Sequence, residues 1–400
     1  MACQCAYGRR LTREFGARPP ASTVYLDYAA TTPVDPRVLG VYERACRSLW
    51  ANPASLHAAG IAAAAALERH REGIGACCGV PAEGVHFCSS ATEAIYAGLR
   101  GLAGDRRRSR IAASVVEHPA VTRNAERLGQ LVVLPVDPDG RIDPQEVERA
   151  RADVLVYSPV NHETGALQDA AALHAAASRR GTVVFIDAAQ AAGRLEPGSW
   201  APHCDLFCIA GHKLYAVRGT AVLWRRGGLQ LAAYRDGGGQ EEGLFPGTVD
   251  GPGAAGLAEA LAILGREGSE ERRAASVLVA ELYRRLSAAG VPFHQEAPAN
   301  AAPGMTNLSF PNLRSMEGFL LHLHRAGVCV SRFSACADSV SGPSPILTAM
   351  GRPPGRARTS LRIALGRFSK REDIQRFVTA AAEALRGPGT RRSESRRAWS

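Results

Sequence analysis

The sequence predicts an α/β fold in which a mainly parallel sheet carries helices on both faces and a smaller α+β domain follows. Two observations lead to this prediction. Between residues 84 and 210, short apolar runs alternate with segments of helical pattern, as they do in β-α-β units. After Pro252 the pattern changes to one long helix rich in Ala, Glu and Arg, and then to mixed short strands and helices.

The predicted strands of the sheet share a high content of apolar, largely β-branched residues. In chain order they are GVHFCSS (84–90), SRIAASVVEH (109–118), QLVVLPV (130–136), ADVLVYSPV (152–160), GTVVFIDAAQ (181–190) and LFCIA (206–210). Helices are predicted from about Ala91, from Pro119 and over the amphipathic stretch 168–180. We therefore expect the sheet to be built from roughly residues 22–250.

The smaller domain is predicted from a second set of elements. They are a helix from Pro252 to about Ala289, strands MTNLSF (305–310) and GVCVSRF (327–333), and helices over 316–326 and 370–386. The predicted organisation is then an N-terminal tail (1–21), a large domain (22–251), a small domain (252–386, with part of the N-terminal segment) and a disordered tail (387–400).

Composition and charge argue against several function classes. No run of residues is apolar enough to span a membrane, and the N-terminus lacks the apolar segment of a secretory signal, so we expect a cytoplasmic protein without a membrane partner. The net charge is +10, but residues 8–18 carry +3 and residues 386–400 carry +4. Solvated tails explain this excess better than a nucleic-acid groove, so no nucleic-acid partner is expected.

The ten cysteines include no C-x-x-C pair, which argues against a zinc ribbon, and no metal site is expected. One of them stands in a context suited to a nucleophile. Cys336 lies in SRFSACADSVSGPSP (331–345), a polar stretch rich in small residues that predicts a loop. A cysteine exposed in such a loop is a better nucleophile than a buried one.

Polar side chains follow five of the predicted strands, at the carboxyl ends where open parallel sheets bind ligands. In chain order they are Ser89 to Thr92, His118, NHETG (161–165), Asp187 with Gln190, and His212 with Lys213. Lys213 is notable because it directly follows a buried strand, and lysine is rarely buried without a partner or a covalent role. Chance can supply one or two such groups, but five predict a site.

These groups suit pyridoxal 5'-phosphate (PLP). The amine of Lys213 can form a Schiff base with the aldehyde of the cofactor. The carboxylate of Asp187 can keep the pyridine nitrogen protonated, so that the ring acts as an electron sink. An imidazole can stack on the ring, and a helix N-terminus with small hydroxyl residues can hold the phosphate. The sequence therefore predicts a PLP site.

Ten short segments follow one another in an order and at a spacing typical of one family. They are YLDYAATTPVDPRV (25–38), NPASLHAAG (52–60), SSATEA (89–94), EHPAV (117–121), VNHETG (160–165), IDAAQAAG (186–193), GHK (211–213), PGT (246–248), SACAD (334–338) and LRIALGRF (361–368). Together they resemble fold-type I, class V aminotransferase-type enzymes, and among these the cysteine desulfurases, over roughly residues 24–385. The resemblance implies a seven-stranded-type sheet sandwiched by helices.

The resemblance also implies roles around the cofactor ring. Lys213 would carry PLP covalently, Asp187 would pair with the ring nitrogen, and Gln190 would bond the phenolic oxygen. His118 would stack on the ring and move protons. His162 stands where the family has a second asparagine, near the phenolic oxygen and the substrate carboxylate, and its imidazole can also hydrogen-bond there.

The phosphate and the substrate have their own implied residues. Thr92, the Ala91–Thr92 backbone and His212 would bind the phosphate, and Thr248 would reach the phosphate of a neighbouring subunit, which implies a homodimer with shared active sites. Arg362 would form a fork with the carboxylate of L-cysteine. Cys336 would attack the substrate sulfur and become a persulfide, with alanine as the other product and a sulfur-acceptor protein as the next partner.

Several positions depart from the family pattern, and they cluster on the substrate side. Besides His162, they are Ala210 in place of serine, Phe245 and Pro246 in place of Arg-Ser, Arg332 and Phe333 in place of Ser-Gly, and AVRGTA (216–221) in place of a Gly-Pro-Lys-Gly turn. They favour the hypothesis of a specialised relative that supplies sulfur to a dedicated pathway.

Other interpretations stay open at the level of sequence. The chain can be a different PLP lyase, acting by β-elimination on a cysteine conjugate or on selenocysteine, or a non-catalytic scaffold. Single residues also have plainer explanations: Asp187 as a helix cap, His118 as the start of a helix, His212 as a satisfied core histidine, and Arg362 in a surface ion pair.

Overall fold

The computed structural model describes residues 23–104, 109–311, 313–333 and 342–386. The strands of these residues are β1 (Val24–Tyr25), β2 (Val85–Cys88), β3 (Arg110–Ser114), β4 (Gln130–Leu134), β5 (Val154–Tyr157), β6 (Val183–Asp187), β7 (Leu206–Ala210), β8 (Ala221–Arg225), β9 (His294–Gln295), β10 (Met305–Ser309), β11 (Val328–Cys329) and β12 (Ser360–Ala364).

The α-helices of the same residues connect these strands. They are α1 (Pro36–Ser48), α2 (Ala58–Cys78), α3 (Ala91–Ala103), α4 (Pro119–Leu128), α5 (Pro144–Ala150), α6 (Ala170–Ser178), α7 (Ala191–Arg194), α8 (Gly251–Ala288), α9 (Met316–Arg325), α10 (Pro345–Ala349), α11 (Pro354–Arg358) and α12 (Arg371–Arg386). None of the helices in the described ranges is both long enough and apolar enough to cross a membrane.

The large sheet has seven strands in the order β2-β8-β7-β6-β5-β3-β4. Every pairing from β7 to β4 is parallel, and β8 pairs antiparallel with both β2 and β7. The prediction of an α/β fold with a mainly parallel sheet is therefore confirmed. Because β8 is antiparallel to both of its neighbours, β2 and β7 run in the same direction. The carboxyl ends of β2, β7, β6, β5 and β3 thus meet at one edge of the sheet.

Some elements differ from the sequence prediction. Strand β8 was not predicted, and its antiparallel pairing depends on neighbours that are remote in the chain. Strand β3 ends at Ser114 instead of continuing to residue 118, because the backbone turns there and the amide of Glu117 donates to the carbonyl oxygen of Ser114. The sheet begins at β2, since β1 pairs with β11 in a separate two-stranded sheet.

Helix starts follow local chemistry that the sequence displays. Helices α1, α4, α5 and α10 each begin with proline, whose fixed φ and missing N–H suit the first helical position. The residue before each proline accepts a backbone N–H of the first turn through its side chain. These cap residues are Asp35, His118, Asp143 and Ser344.

The contacts divide the described residues into two compact units. One consists of residues 23–28, 163–165 and 273–386, and its core contains Phe310, Phe319 and Phe377. The other consists of residues 29–162 and 166–272, and the apolar cluster of its sheet contains Phe185 and Leu223. The division falls within α8, and the domain boundary predicted at residues 251/252 stays a prediction.

Helix α3 packs closely on the sheet at Gly98. A Cβ atom added there would lie 2.5 Å from Cε1 of Phe185, a fully buried ring in β6. Such a distance is well inside van der Waals contact, and buried rings move only at a cost in packing. The glycine therefore permits the approach of the helix whose first turn lies at the carboxyl edge of the sheet.

We predict that Gly98→Ala lowers the free energy of unfolding by about 1–3 kcal/mol, the usual cost of overpacking a core. Gly73→Ala is the matched control, because it lies inside helix α2 and a Cβ there meets nothing within 4 Å. It should be neutral or stabilising by up to about 1 kcal/mol, since alanine is the better helix former. Urea unfolding measures both, and equal effects would contradict the packing argument.

Candidate active site

Five loops converge at the carboxyl edge of the seven-stranded sheet. They follow β2, β3, β5, β6 and β7, and they carry the residues that the sequence analysis singled out. Strands β6 and β7 are direct neighbours, with Asp187 opposite Cys208 in the register. The structure therefore brings Asp187 and Lys213 to the same edge, on adjacent strands, with the loops that carry His162 and His118 farther along it.

Lys213 closes a 3-10 turn, Gly211–Lys213, directly after β7. Thr32 holds this turn: its amide and its hydroxyl donate to the carbonyl oxygen of His212, at 2.8 and 3.0 Å. The Thr32 hydroxyl oxygen also accepts the amide of Tyr215 at 2.8 Å. Tyr215 has φ +64, a conformation that non-glycine residues rarely adopt. The backbone on both sides of Lys213 is thus held by one threonine.

Sequence reasoning missed the role of Thr31 and Thr32. They lie in YLDYAATTPVDPRV, which contributed to the family resemblance, but nothing local indicates that they bond to a turn 180 residues later. The available signal was the pair of hydroxyl residues before a proline, a pattern suited to a hydrogen-bonding turn. Their target became visible only in the folded chain.

His212 is neutral at physiological pH. Burial, and next the charges of Lys213 and Arg218, lower the pKa of its imidazole to about 4. The Thr31 hydroxyl oxygen lies 3.1 Å from Nδ1 of this ring and 3.3 Å from the carbonyl oxygen of the same residue. The single hydrogen of the hydroxyl can go to only one of these two acceptors, so the tautomer of the ring depends on the direction of the Thr31 bond. With its proton on Nε2, the neutral ring can donate one hydrogen bond to an anion without adding a charge.

Asp187 is a buried carboxylate, 6% exposed, at the last position of β6. Its Oδ1 accepts the amide of Ala189 at 3.0 Å and lies 3.7 Å from Sγ of Cys208. Burial, and next the charge of Asp187, raise the pKa of the Cys208 thiol well above its ordinary value, so this thiol stays neutral. Among the described residues no donor reaches Oδ2, and the plainer explanation of Asp187 as a helix cap is not the one observed.

Gln190 follows Asp187 by three residues, and its amide is held from both sides. Its Nε2 donates to the carbonyl oxygen of Ala29 at 2.8 Å, and its Oε1 lies 3.4 Å from Nε of Arg194. This pattern assigns the amide orientation, because the nitrogen faces an acceptor and the oxygen faces a donor. The second hydrogen on Nε2 suits an oxygen of a bound ring.

His118 both starts a helix and presents an imidazole at the edge of the sheet. Its Nδ1 accepts the amide of Ala120 at 3.0 Å, which makes it the cap of α4. An accepting Nδ1 places the proton of the neutral ring on Nε2. The ring of His162 lies edge-on to it, with 5.2 Å between the centroids and 79° between the planes. His162 is buried, at 7% exposure.

Glu117 is a second residue that sequence reasoning missed, although it stands beside His118 in the EHPAV segment. Its carboxylate accepts the Ser114 hydroxyl at 2.7 Å, the Ser158 amide at 3.0 Å and the Ser158 hydroxyl at 2.7 Å. It therefore joins the ends of β3 and β5. Burial raises its pKa to about 7, the charge of Asp187 contributes in the same direction, and the serine hydrogen bonds oppose the rise.

The first turn of α3 supplies a helix N-terminus to the same edge. Ser90 caps it by accepting the amide of Glu93 at 3.1 Å, and the Glu93 carboxylate accepts the amide of Ser89 at 2.9 Å. This cap does not engage the amides of Ala91 and Thr92. Those two amides and the helix dipole suit a phosphate.

Four further residues were singled out from the sequence, and the structure describes three of them. Thr248 is exposed. Arg362 lies in the other compact unit, on β12, and is 1% exposed, which excludes a surface ion pair. Cys336 lies outside the described residues. Ala210 ends β7 and is buried, so no hydroxyl donor stands at the position where the family has serine.

The donors and acceptors at this edge fit PLP. A buried carboxylate with one oxygen unengaged by the described chain suits a protonated pyridine nitrogen, and the Gln190 amide suits a phenolic oxygen. A neutral His212 and the start of α3 suit a phosphate. The backbone of Lys213 is held in a hydrogen-bonded turn, so the point from which its side chain extends is well defined.

Known proteins share this architecture. The family model described as aminotransferase class-V matches residues 24–377. A cysteine desulfurase IscS of Anaeromyxobacter dehalogenans is 34% identical, over 91% of this chain and 92% of that protein. A solved NifS-like protein has a TM-score of 0.83 and 29% identity, covering 91% of this chain and 99% of its own. A structure entitled SspA in complex with cysteine has a TM-score of 0.76 and 26% identity, covering 87% and 100%.

We predict that Glu117 makes stability fall with rising pH. Its pKa is about 7 in the folded protein, above its ordinary value of 4.5, so the folded state keeps a proton that the unfolded chain has lost. The free energy of unfolding of the wild type, minus that of Glu117→Gln, should therefore decrease between about pH 4.5 and 7.

Urea unfolding of both proteins across this pH range measures the effect. The difference removes contributions that the two proteins share, including that of Glu163, whose pKa burial also raises to about 7. Parallel pH curves for the two proteins would show that Glu117 does not titrate in this way.

Proposed function

The chain belongs to the class V aminotransferase family and is a PLP-dependent cysteine desulfurase, and we propose the roles of its own residues in that reaction. The proposal is supported chiefly by one observation. Strands β6 and β7 are parallel neighbours, and they deliver Asp187 and Lys213 to one edge of the sheet. The loops after β2, β3 and β5 bring Thr92, His118 and His162, which are further proposed cofactor residues, to the same edge.

In this proposal the residues of the sheet edge hold PLP. Lys213 would bind it covalently through Nζ, the Asp187 carboxylate would pair with the ring nitrogen, and Gln190 would bond the phenolic oxygen. When bound, PLP supplies an electron sink for the bonds that break in the substrate. The amides of Ala91 and Thr92, the Thr92 hydroxyl and the His212 ring would hold its phosphate.

Two groups are proposed to move protons. Lys213 Nζ would take or return a proton as a free amine. His118 can exchange a proton only at Nε2, because its Nδ1 accepts the amide of Ala120. Glu117 lies directly before it and ties the strand ends together, so the position of the His118 backbone is well defined.

The proposed substrate is L-cysteine. It is supported by the cysteine desulfurase relatives and by the related structure of SspA in complex with cysteine. The guanidinium of Arg362 would bind the substrate carboxylate, a planar group that arginine pairs with well. His162 would contact both the cofactor and the substrate, in place of the asparagine usual in the family.

Cys336 is the proposed sulfur acceptor within the enzyme, a role that comes from the family resemblance alone. Its thiolate would attack the substrate sulfur as the bond from that sulfur to Cβ breaks, and a proton would be added to Cβ. The net change is balanced: L-cysteine and the Cys336 thiol become L-alanine and a Cys336 persulfide. The persulfide would then pass its sulfur to an acceptor protein.

Two further proposals concern partners. Thr248 is exposed in the single chain, which is compatible with a homodimer in which it reaches the cofactor phosphate of the neighbouring subunit. The substitutions at His162, Ala210, Phe245 and Pro246 favour a dedicated sulfur pathway. Complementation of a cell that lacks its housekeeping desulfurase tests this: full restoration of iron–sulfur assembly would contradict a dedicated role.

We predict that the protein, incubated with L-cysteine, forms alanine together with protein-bound persulfide. Cys336→Ala should lose the persulfide and most of the alanine formation, because the attacking thiolate is gone. Cys46→Ala is the matched control, since Cys46 is a free and exposed thiol, and it should behave as the wild type. Mass spectrometry of the protein and chromatographic assay of alanine and sulfide provide the measurements.

The same experiment separates the alternatives. A Cys336→Ala protein that keeps full turnover would indicate elimination by a C–S lyase, with sulfide and without persulfide. A purified protein that stays colourless with added PLP would indicate a scaffold instead of an enzyme.

A further inference from the structure

Arg362 is one of the largest side chains that the fold buries completely, at 1% exposure. It lies in the middle of β12, where its Cα is paired with that of Asn307 on β10. Its amide donates to the carbonyl oxygen of Ser331 at 2.8 Å. The backbone of Arg362 is therefore held on two sides. The direction of its side chain depends on the groups that contact the guanidinium.

Asp27 provides such a group. Nη2 of Arg362 donates to Oδ1 of Asp27 at 2.7 Å, and the other carboxylate oxygen accepts the Ser331 hydroxyl at 2.6 Å. Asp27 is held by its own backbone as well, through a parallel bridge to Ala364, two residues beyond Arg362. Carboxylate, hydroxyl and guanidinium thus form one chain of hydrogen bonds within a single compact unit.

Geometry and electrostatics both indicate that the contact between Asp27 and Arg362 controls the orientation of the guanidinium. A buried charge without a partner is costly, and a guanidinium is planar, so fixing one of its nitrogens restricts the plane of the whole group. A second carboxyl, Glu163, lies close enough for the charge of Arg362 to lower its pKa, although burial dominates and raises that pKa to about 7. The Glu163 carboxylate accepts the Ser344 hydroxyl, whereas Asp27 accepts from Arg362 itself.

We infer that Asp27 is a positioning residue that orients the Arg362 guanidinium for the α-carboxylate of the amino-acid substrate. The inference deepens the proposed function and rests on the proposed role of Arg362. It adds a residue of the YLDYAATTPVDPRV segment to the machinery of substrate recognition. The competing explanation is that the pair only neutralises a buried charge and has no bearing on what the guanidinium binds.

A pair of ligands distinguishes these explanations. L-alanine and ethylamine share an amine and a methyl group, and only L-alanine carries a carboxylate. Their dissociation constants for the PLP-loaded enzyme can be measured from the change in cofactor absorption, without any turnover. A misoriented guanidinium weakens the binding of L-alanine alone, whereas general structural damage weakens the binding of both ligands.

We predict that Asp27→Asn raises the dissociation constant of L-alanine about tenfold or more, the size expected for a hydrogen bond to a charged group. The constant for ethylamine should change by less than about twofold, which is within the usual effect of a remote substitution. The KM for L-cysteine should rise together with the dissociation constant of L-alanine. The value of kcat should change less, because the substitution leaves the chemical groups at the sheet edge unchanged.

Glu296→Gln is the matched control. Glu296 is a fully buried carboxylate in the same unit, and it accepts from Arg356 at 2.7 and 2.9 Å. Its substitution breaks a carboxylate–arginine pair whose carboxylate is buried and whose guanidinium is partly exposed. It should lower thermal stability without changing the ratio of the two dissociation constants. Should Asp27→Asn fail to fold, Ser331→Ala replaces it, because this change frees the second oxygen of Asp27 and should shift the ratio in the same direction by less.

Arg362→Gln separates a failure of this inference from a failure of the proposed function. A selective loss of L-alanine binding in both Arg362→Gln and the Asp27 or Ser331 variant supports the inference. A selective loss in Arg362→Gln alone overturns it and leaves the role of Arg362 intact. An equal loss of both ligands, or no loss, in Arg362→Gln overturns the role of Arg362, and the inference fails with it.

Discussion

The direction of the strands in the large sheet is the constraint on which the rest of the site depends. Six of the seven strands run the same way, including β2, because β8 is antiparallel to both β2 and β7. Each then ends at the same edge, where the backbone must leave the sheet and can present polar groups. Lys213, Asp187, His162, His118 and the start of α3 are therefore neighbours by topology, although they are spread over more than a hundred residues of sequence.

Burial then sets the protonation of the groups that meet there. It lowers the pKa of His212 to about 4 and raises that of Glu117 to about 7, so both are pushed toward their neutral forms. The Cys208 thiol, next to Asp187, is also kept neutral. Because His212 and Cys208 are neutral, a cationic ring nitrogen beside Asp187 would meet its carboxylate without competition from these two groups. Around Arg362, burial is accompanied by pairing instead: the buried guanidinium donates to the carboxylate of Asp27.

Rigidity is supplied by residues that perform no chemistry. Thr32 bonds to the turn on both sides of Lys213, Glu117 joins the ends of two strands, and Ser331 holds the partner of Arg362. Each uses short side chains and backbone groups, which lose little conformational entropy when they are ordered. Among the departures from the family pattern, His162 packs edge-on against His118 within this frame.

The sequence by itself determined six of the seven strands of the large sheet, several helix starts, the placement of Lys213 after LFCIA and of Asp187 after VVFI, and the identity of the cofactor. These features are local: they depend on hydrophobic runs, caps and the residue types that a chemistry requires. Only the tertiary structure decided that Thr32 binds the Lys213 turn, that Glu117 spans β3 and β5, that β8 runs antiparallel, and that Asp27 holds Arg362. Each of these joins segments far apart in the chain, and such a pairing leaves no periodic trace in either segment, because its free energy is gained only once the intervening chain has folded.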